Sequence, residues 1–93
     1  MDIKRLNLAR KKIDKLDNKI FYLIKRRTQV VKYMLSLKKF KKEIIDHRRI
    51  SEILKKIKKR SIKNSIDTNL TRRIWKSMIW SYVEFQRRNF KKK

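Results

Sequence analysis

The sequence predicts an all-α fold: a long, a short and a medium helix in one domain over residues 1–93, built to pair with a second copy of itself. Three observations predict it. The chain contains neither glycine nor proline, the strongest punctuators of regular structure, so long uninterrupted helices are the default. Its apolar residues recur at steps of three, four and seven, the period of one helical face. The first such stripe is also too long for the rest of a 93-residue chain to cover.

That stripe runs through Leu6, Ile13, Leu16, Ile20, Leu23, Ile24, Val30, Val31, Met34 and Leu37. It predicts a first helix over residues 3–39, a rod of roughly 55 Å at ~1.5 Å per residue. Residues 40–45 show no clear period and read as a loop. Asp46 is placed to cap a second helix over 46–63, with apolar positions at Ile50, Ile53, Leu54 and Ile57 that fade after Lys58. Asn64-Ser65 marks a turn, and Asp67 or Thr68 can cap a third helix over 67–90. Its stripe is Leu70, Ile74, Met78, Tyr82 and Phe85, with a second at Trp75, Ile79, Tyr82 and Gln86. A solvated Lys91-Lys92-Lys93 tail follows. Two shorter helices cannot cover so long a rod, but a second copy laid alongside can, so a two-fold homodimer is expected.

Composition excludes several chemistries. There is no cysteine, which removes disulfides and thiolate sites. The single histidine, His47, is a poor start for a metal centre and reads as a surface residue beside the cap. No metal and no cofactor is expected. No apolar run approaches the roughly 18 residues of a membrane span, and Met1-Asp2-Ile3-Lys4-Arg5 lacks the apolar region of a signal peptide. A cytoplasmic protein without a membrane partner is expected.

The net charge is +23, from 31 basic and 8 acidic residues. A field of that sign attracts polyanions, which raises nucleic acid as a partner. The competing reading is compositional drift: 20 of the basic residues are lysine, isoleucine is frequent and alanine occurs once. Such a bias is what A/T-rich codons produce, with lysine filling solvated helix faces. Drift is the preferred reading, and no specific nucleic-acid partner is expected.

A few polar groups stand on or beside the apolar stripes instead. Arg10 and Arg27 lie along the first helix and Lys38 closes its stripe. Arg49 adjoins Ile50 and Ile53, and Gln86 sits one turn after Tyr82. A buried charge is costly unless paired, and the chain has too few acids to pair them all. Either their stems pack while the heads reach water, or they line a pocket for a small anion with more than one carboxylate, which the planar fork of arginine binds bidentately.

The run Arg10-Lys11-Lys12-Ile13-Asp14-Lys15-Leu16-Asp17, followed by Leu23-Ile24-Lys25-Arg26-Arg27, resembles the first helix of the all-helical chorismate mutases, with its R-x-x-I-D-x-(L/I)-D and L-(L/I)-x-x-R. Lys38 matches that family's lysine at the end of the helix. Asp46-His47-Arg48-Arg49 matches its D-x-x-R, and Ile74-Trp75, Met78-Ile79 and Gln86 match its third helix. The resemblance covers nearly the whole chain and implies an intertwined, domain-swapped homodimer that converts chorismate to prephenate in aromatic amino-acid biosynthesis. It implies two shared sites, each with Arg10 from one chain and Arg27, Lys38, Asp46, Arg49 and Gln86 from the other. By the same resemblance, Arg10 and Arg27 take the substrate carboxylates and Lys38 and Gln86 are the catalytic donors to the ether oxygen.

Two positions depart from the pattern. Ile50 stands where family members usually carry a glutamate that accepts the chorismate hydroxyl, and Tyr82 stands where many have serine. Both also resemble the isochorismate pyruvate lyases of salicylate synthesis, whose W-Y-x-x-x-Q is partly matched by Ser81-Tyr82-Val83-Glu84-Phe85-Gln86. The lyase reaction is therefore the alternative.

Overall fold

The computed structural model describes residues 1–91 and is all-helical, with no strand among the described residues. The elements are α1 (Ile3–Ser36), a 3₁₀ turn (Lys41–Ile44), α2 (His47–Lys63) and α3 (Thr68–Asn89). The expected basic tail runs past Lys91, and its residues Lys92 and Lys93 lie outside the described part. The chain divides into two compact units, Met1–Tyr33 and a second that begins at Met34.

The first unit is α1 up to Tyr33. Its apolar stripe stands open: Ile13, Leu16, Ile20 and Leu23 each keep more than half of their surface exposed. Full burial of such a side chain stabilises by about 1.5–3 kcal/mol, so each of these positions forgoes roughly half of that in the single chain.

The second unit is built on α2 and α3, which pack against each other. Its core is Leu35, Ile44 and Val83, with Ile45 and Phe90 against them. Ser61 Oγ and Thr71 Oγ1 lie 2.7 Å apart, joining α2 to α3 by a hydroxyl–hydroxyl hydrogen bond. Both helix starts are capped as N-cap chemistry dictates. The Asp46 carboxylate accepts the Arg49 N–H at 3.0 Å. Asp67, rather than Thr68, caps α3, accepting from the Asn69 and Leu70 N–H groups at 2.8 and 3.0 Å.

α2 continues through the lysine-rich stretch where its apolar stripe fades, and closes at Asn64-Ser65. There the Ile66 N–H reaches back to the Ser61 carbonyl and the Ser65 N–H to that of Ile62. That is a Schellman closure, and it puts Ser65 in the left-handed region at φ 55°. α1 ends at Ser36, three residues short of the expected boundary, and the stretch read as a loop holds the 3₁₀ turn. A turn of four residues is too short to show a period.

Candidate active site

Lys38 lies two residues beyond α1, where the chain leaves the helix. The Leu37 and Lys38 N–H groups still turn back to the carbonyls of Met34 and Leu35, each at 3.1 Å. The next two N–H groups, of Lys39 and Phe40, are both taken by Glu43 Oε2 at 2.7 Å. Every backbone donor from 37 to 40 is thus satisfied, as a chain changing direction requires, and the position of Lys38 is fixed from both sides.

Gln86 reaches the same place from α3. It follows Val83 by three residues and Ile79 by seven, so it shares their inward face, and it is buried at 8% exposure. Lys38 Nζ donates to Gln86 Oε1 at 2.7 Å, and Gln86 Nε2 donates to the Tyr82 carbonyl at 3.3 Å. These two contacts fix which end of the amide points at the ammonium. Lys38 is half-buried, and burial pushes its pKa below the ordinary 10.5, opposed by the carboxylates of Glu43 and then Asp46. Glu43 is held below the usual carboxylate value by the Phe40 N–H first, with the Lys39 N–H and the charges of Lys38 and Lys42 adding to it against a smaller desolvation effect.

The other expected residues are placed as follows. Asp46 spends its carboxylate on the cap of α2, which orders the backbone of Arg49. Arg49 itself is exposed, with Nη1 4.0 Å from Glu52 Oε2. Tyr82 is half-buried and meets the Phe85 ring edge-on, centroids 6.3 Å apart. Ile50 lines a cavity of about 510 Å³ along α2 and α3 with exposed His47, Leu54, Lys55 and Arg72; neither Lys38 nor Gln86 lines it. Arg10 and Arg27 lie on α1 in the first unit. Arg10 is exposed, its guanidinium 3.5 Å from Asn7 Oδ1, and Arg27 is half-buried.

The second unit therefore brings together Lys38 and Gln86, with the charges of Glu43 and Asp46 acting on Lys38. Glu43 is the member that the sequence pattern missed. Its signal was its rarity: it is the first acid after Asp17 in a chain with only eight.

A cation and a neutral amide converging at 2.7 Å on a buried helix face suit a reaction that develops negative charge on one oxygen. No helix of the described residues is long and apolar enough to cross a membrane. No curated protein and no solved structure matches the chain. The family model for chorismate mutase type II, in contrast, matches residues 9–87, from just before Arg10 to just after Gln86. With most of its length matched, and with an all-helical fold that agrees, the chain belongs to the chorismate mutase type II family, an isomerase family.

Proposed function

We propose that residues 1–93 form one catalytic domain that acts as an intertwined homodimer, with each of two sites shared between the chains. The reaction is that of the family, the intramolecular rearrangement of chorismate to prephenate. It breaks an ether C–O bond as it forms a C–C bond, and needs no nucleophile or proton shuttle. The site has two tasks: to select the compact conformer with the enolpyruvyl arm over the ring, and to stabilise charge developing on the ether oxygen.

The observation that carries the assignment is the Lys38–Gln86 contact. The Lys38 ammonium has three hydrogens and spends one on Gln86. The Gln86 amide nitrogen has two and spends one on Tyr82. Each keeps a hydrogen for the ether oxygen, and the amide keeps its own at every pH. Arg10 and Arg27 bind the two carboxylates, Arg49 and Asp46 order the mouth of the pocket, and Ile50 and Tyr82 shape it.

The need for two chains follows from Arg10 and Arg27. They sit 17 positions apart on one helix, about 25 Å along its axis, and no molecule the size of chorismate spans that. Arg10 therefore serves a substrate held by the other chain. The open stripe of α1 supports the same assembly, since a second copy can cover it. The net charge of +23 speeds capture of a dianion, an effect that salt screens. A cytoplasmic setting completes the reading.

The test is turnover of chorismate by the purified chain, with isochorismate as the second substrate. Prephenate from chorismate is expected. Salicylate and pyruvate from isochorismate, without prephenate from chorismate, would overturn the assignment.

A further inference from the structure

Glu43 lies outside the set of residues that carry the reaction, yet two observations tie it to Lys38. The first is geometric. Its Oε2 holds the N–H groups of Lys39 and Phe40, the two residues directly after Lys38, each at 2.7 Å. α1 has ended at Ser36, so these donors have no helical ladder to join. Bonds from backbone N–H to a carboxylate are about twice as strong as neutral ones. The next residue, Ile44, is buried in the core with Leu35 and Val83, which anchors the clamp to the rest of the unit.

The second observation is electrostatic. Lys38 aims at Gln86, a neutral group on α3. The charges that favour its protonated form are Glu43 from the 3₁₀ turn and Asp46 from the cap of α2; Lys42 flanks Glu43.

We propose that Glu43 is a positioning residue for Lys38: its carboxylate pins the backbone immediately after Lys38 and adds a nearby negative charge, keeping the amine aimed at Gln86 and protonated. The consequence for turnover rests on the donor role assigned to Lys38 above; the hold on the charge of Lys38 does not.

Two variants separate the parts. Glu43→Gln keeps an oxygen that can accept both N–H groups but loses the charge. Glu43→Ala loses both. The experiment is an NMR titration of the Lys38 side chain in the full chain, with kcat and kcat/KM on chorismate followed against pH in parallel and helix content checked by circular dichroism.

In both variants Lys38 is expected to titrate at lower pH than in the wild type, and the alkaline fall of kcat/KM, which reports the free enzyme, to move down with it. Glu43→Ala is expected to lose between about tenfold and 100-fold in kcat with little change in KM, the scale of a misplaced reacting group. Glu43→Gln loses less. A Lys38 titration that stays put in a folded Glu43→Gln variant overturns the proposal. If Lys38→Ala turns over normally, the donor role of Lys38 falls, while the titration still decides whether Glu43 holds its charge.

Discussion

Gln86 is buried although it carries an amide, and an unpaired buried amide costs about 1–3 kcal/mol. Lys38 and the Tyr82 carbonyl supply the partners. If Lys38 and Gln86 donate to the ether oxygen, losing either should remove about 10²–10³ from kcat, roughly 3–4 kcal/mol. Gln86→Ala and Lys38→Ala are expected to fall that far in steady-state assays, while Lys59→Ala, on an exposed part of α2, changes little. Gln86→Glu is the sharper variant. A carboxylate donates only when protonated, so it should be weak at neutral pH and recover as the pH falls; equal activity at all pH values would remove Gln86 from the reaction. The lowered pKa of Lys38 adds a second pH effect. Between its folded value and 10.5, the unfolded chain binds more protons than the folded one, so this residue makes stability rise with pH in that window and costs stability below it. Activity runs the other way, because the donor is lost as Lys38 deprotonates. The alkaline limb of kcat/KM, which reports the free enzyme, should therefore lie below 10.5 in the wild type and move up in any active Lys38→Arg variant. Lys38 and Gln86 were legible because one closes an apolar stripe and the other is a polar group standing on one, and both match the family pattern. Glu43 was not, because a carboxylate that caps backbone beyond a helix end leaves no periodic trace.

At the scale of elements, caps made the sequence readable. Asp46 and Asp67 fix where α2 and α3 begin, through three backbone N–H groups between them. Asp67→Ala should cost about 1 kcal/mol in denaturant unfolding. The end of α1 was harder to read, because apolar period and helical backbone stop at different places: the stripe runs on to Leu37, while α1 stops at Ser36 and Lys38 leaves the helix axis. The closure of α2 exposes a cost of having no glycine. Ser65 takes the left-handed position that glycine takes in most such closures. That conformation costs a side-chain-bearing residue about 1–2 kcal/mol, and the added freedom of an unfolded glycine returns about 0.5–1 kcal/mol of it. Ser65→Gly should therefore stabilise the chain by about 0.5–1 kcal/mol; a loss of stability would mean that the hydroxyl has a role the backbone does not explain.

At the scale of the whole molecule, the first unit has no core of its own: Ile13, Leu16, Ile20 and Leu23 stand open along α1. That face was legible in the sequence as a stripe too long to cover, and it motivates the proposed homodimer. Sedimentation at micromolar concentration should give twice 11.6 kDa, and a folded monomer would sink the shared sites. The charge was legible too, but its sign alone does not separate a polyanion partner from solvated lysine. If it is drift that also steers a small dianion, duplex DNA should bind weakly, without sequence preference, and be lost steeply with salt. The claim on which the rest depends is that one site draws Arg10 from one chain and Gln86 from the other. Arg10→Ala and Gln86→Ala homodimers should each be nearly inactive. Mixed in equal amounts and allowed to exchange chains, half of the dimers become hybrids, and each hybrid holds one site with both defects and one with neither. Activity should then rise to about a quarter of the wild-type value, as two-fold symmetry requires. Activity no higher than the average of the two parents, with hybrids present, would contradict the account.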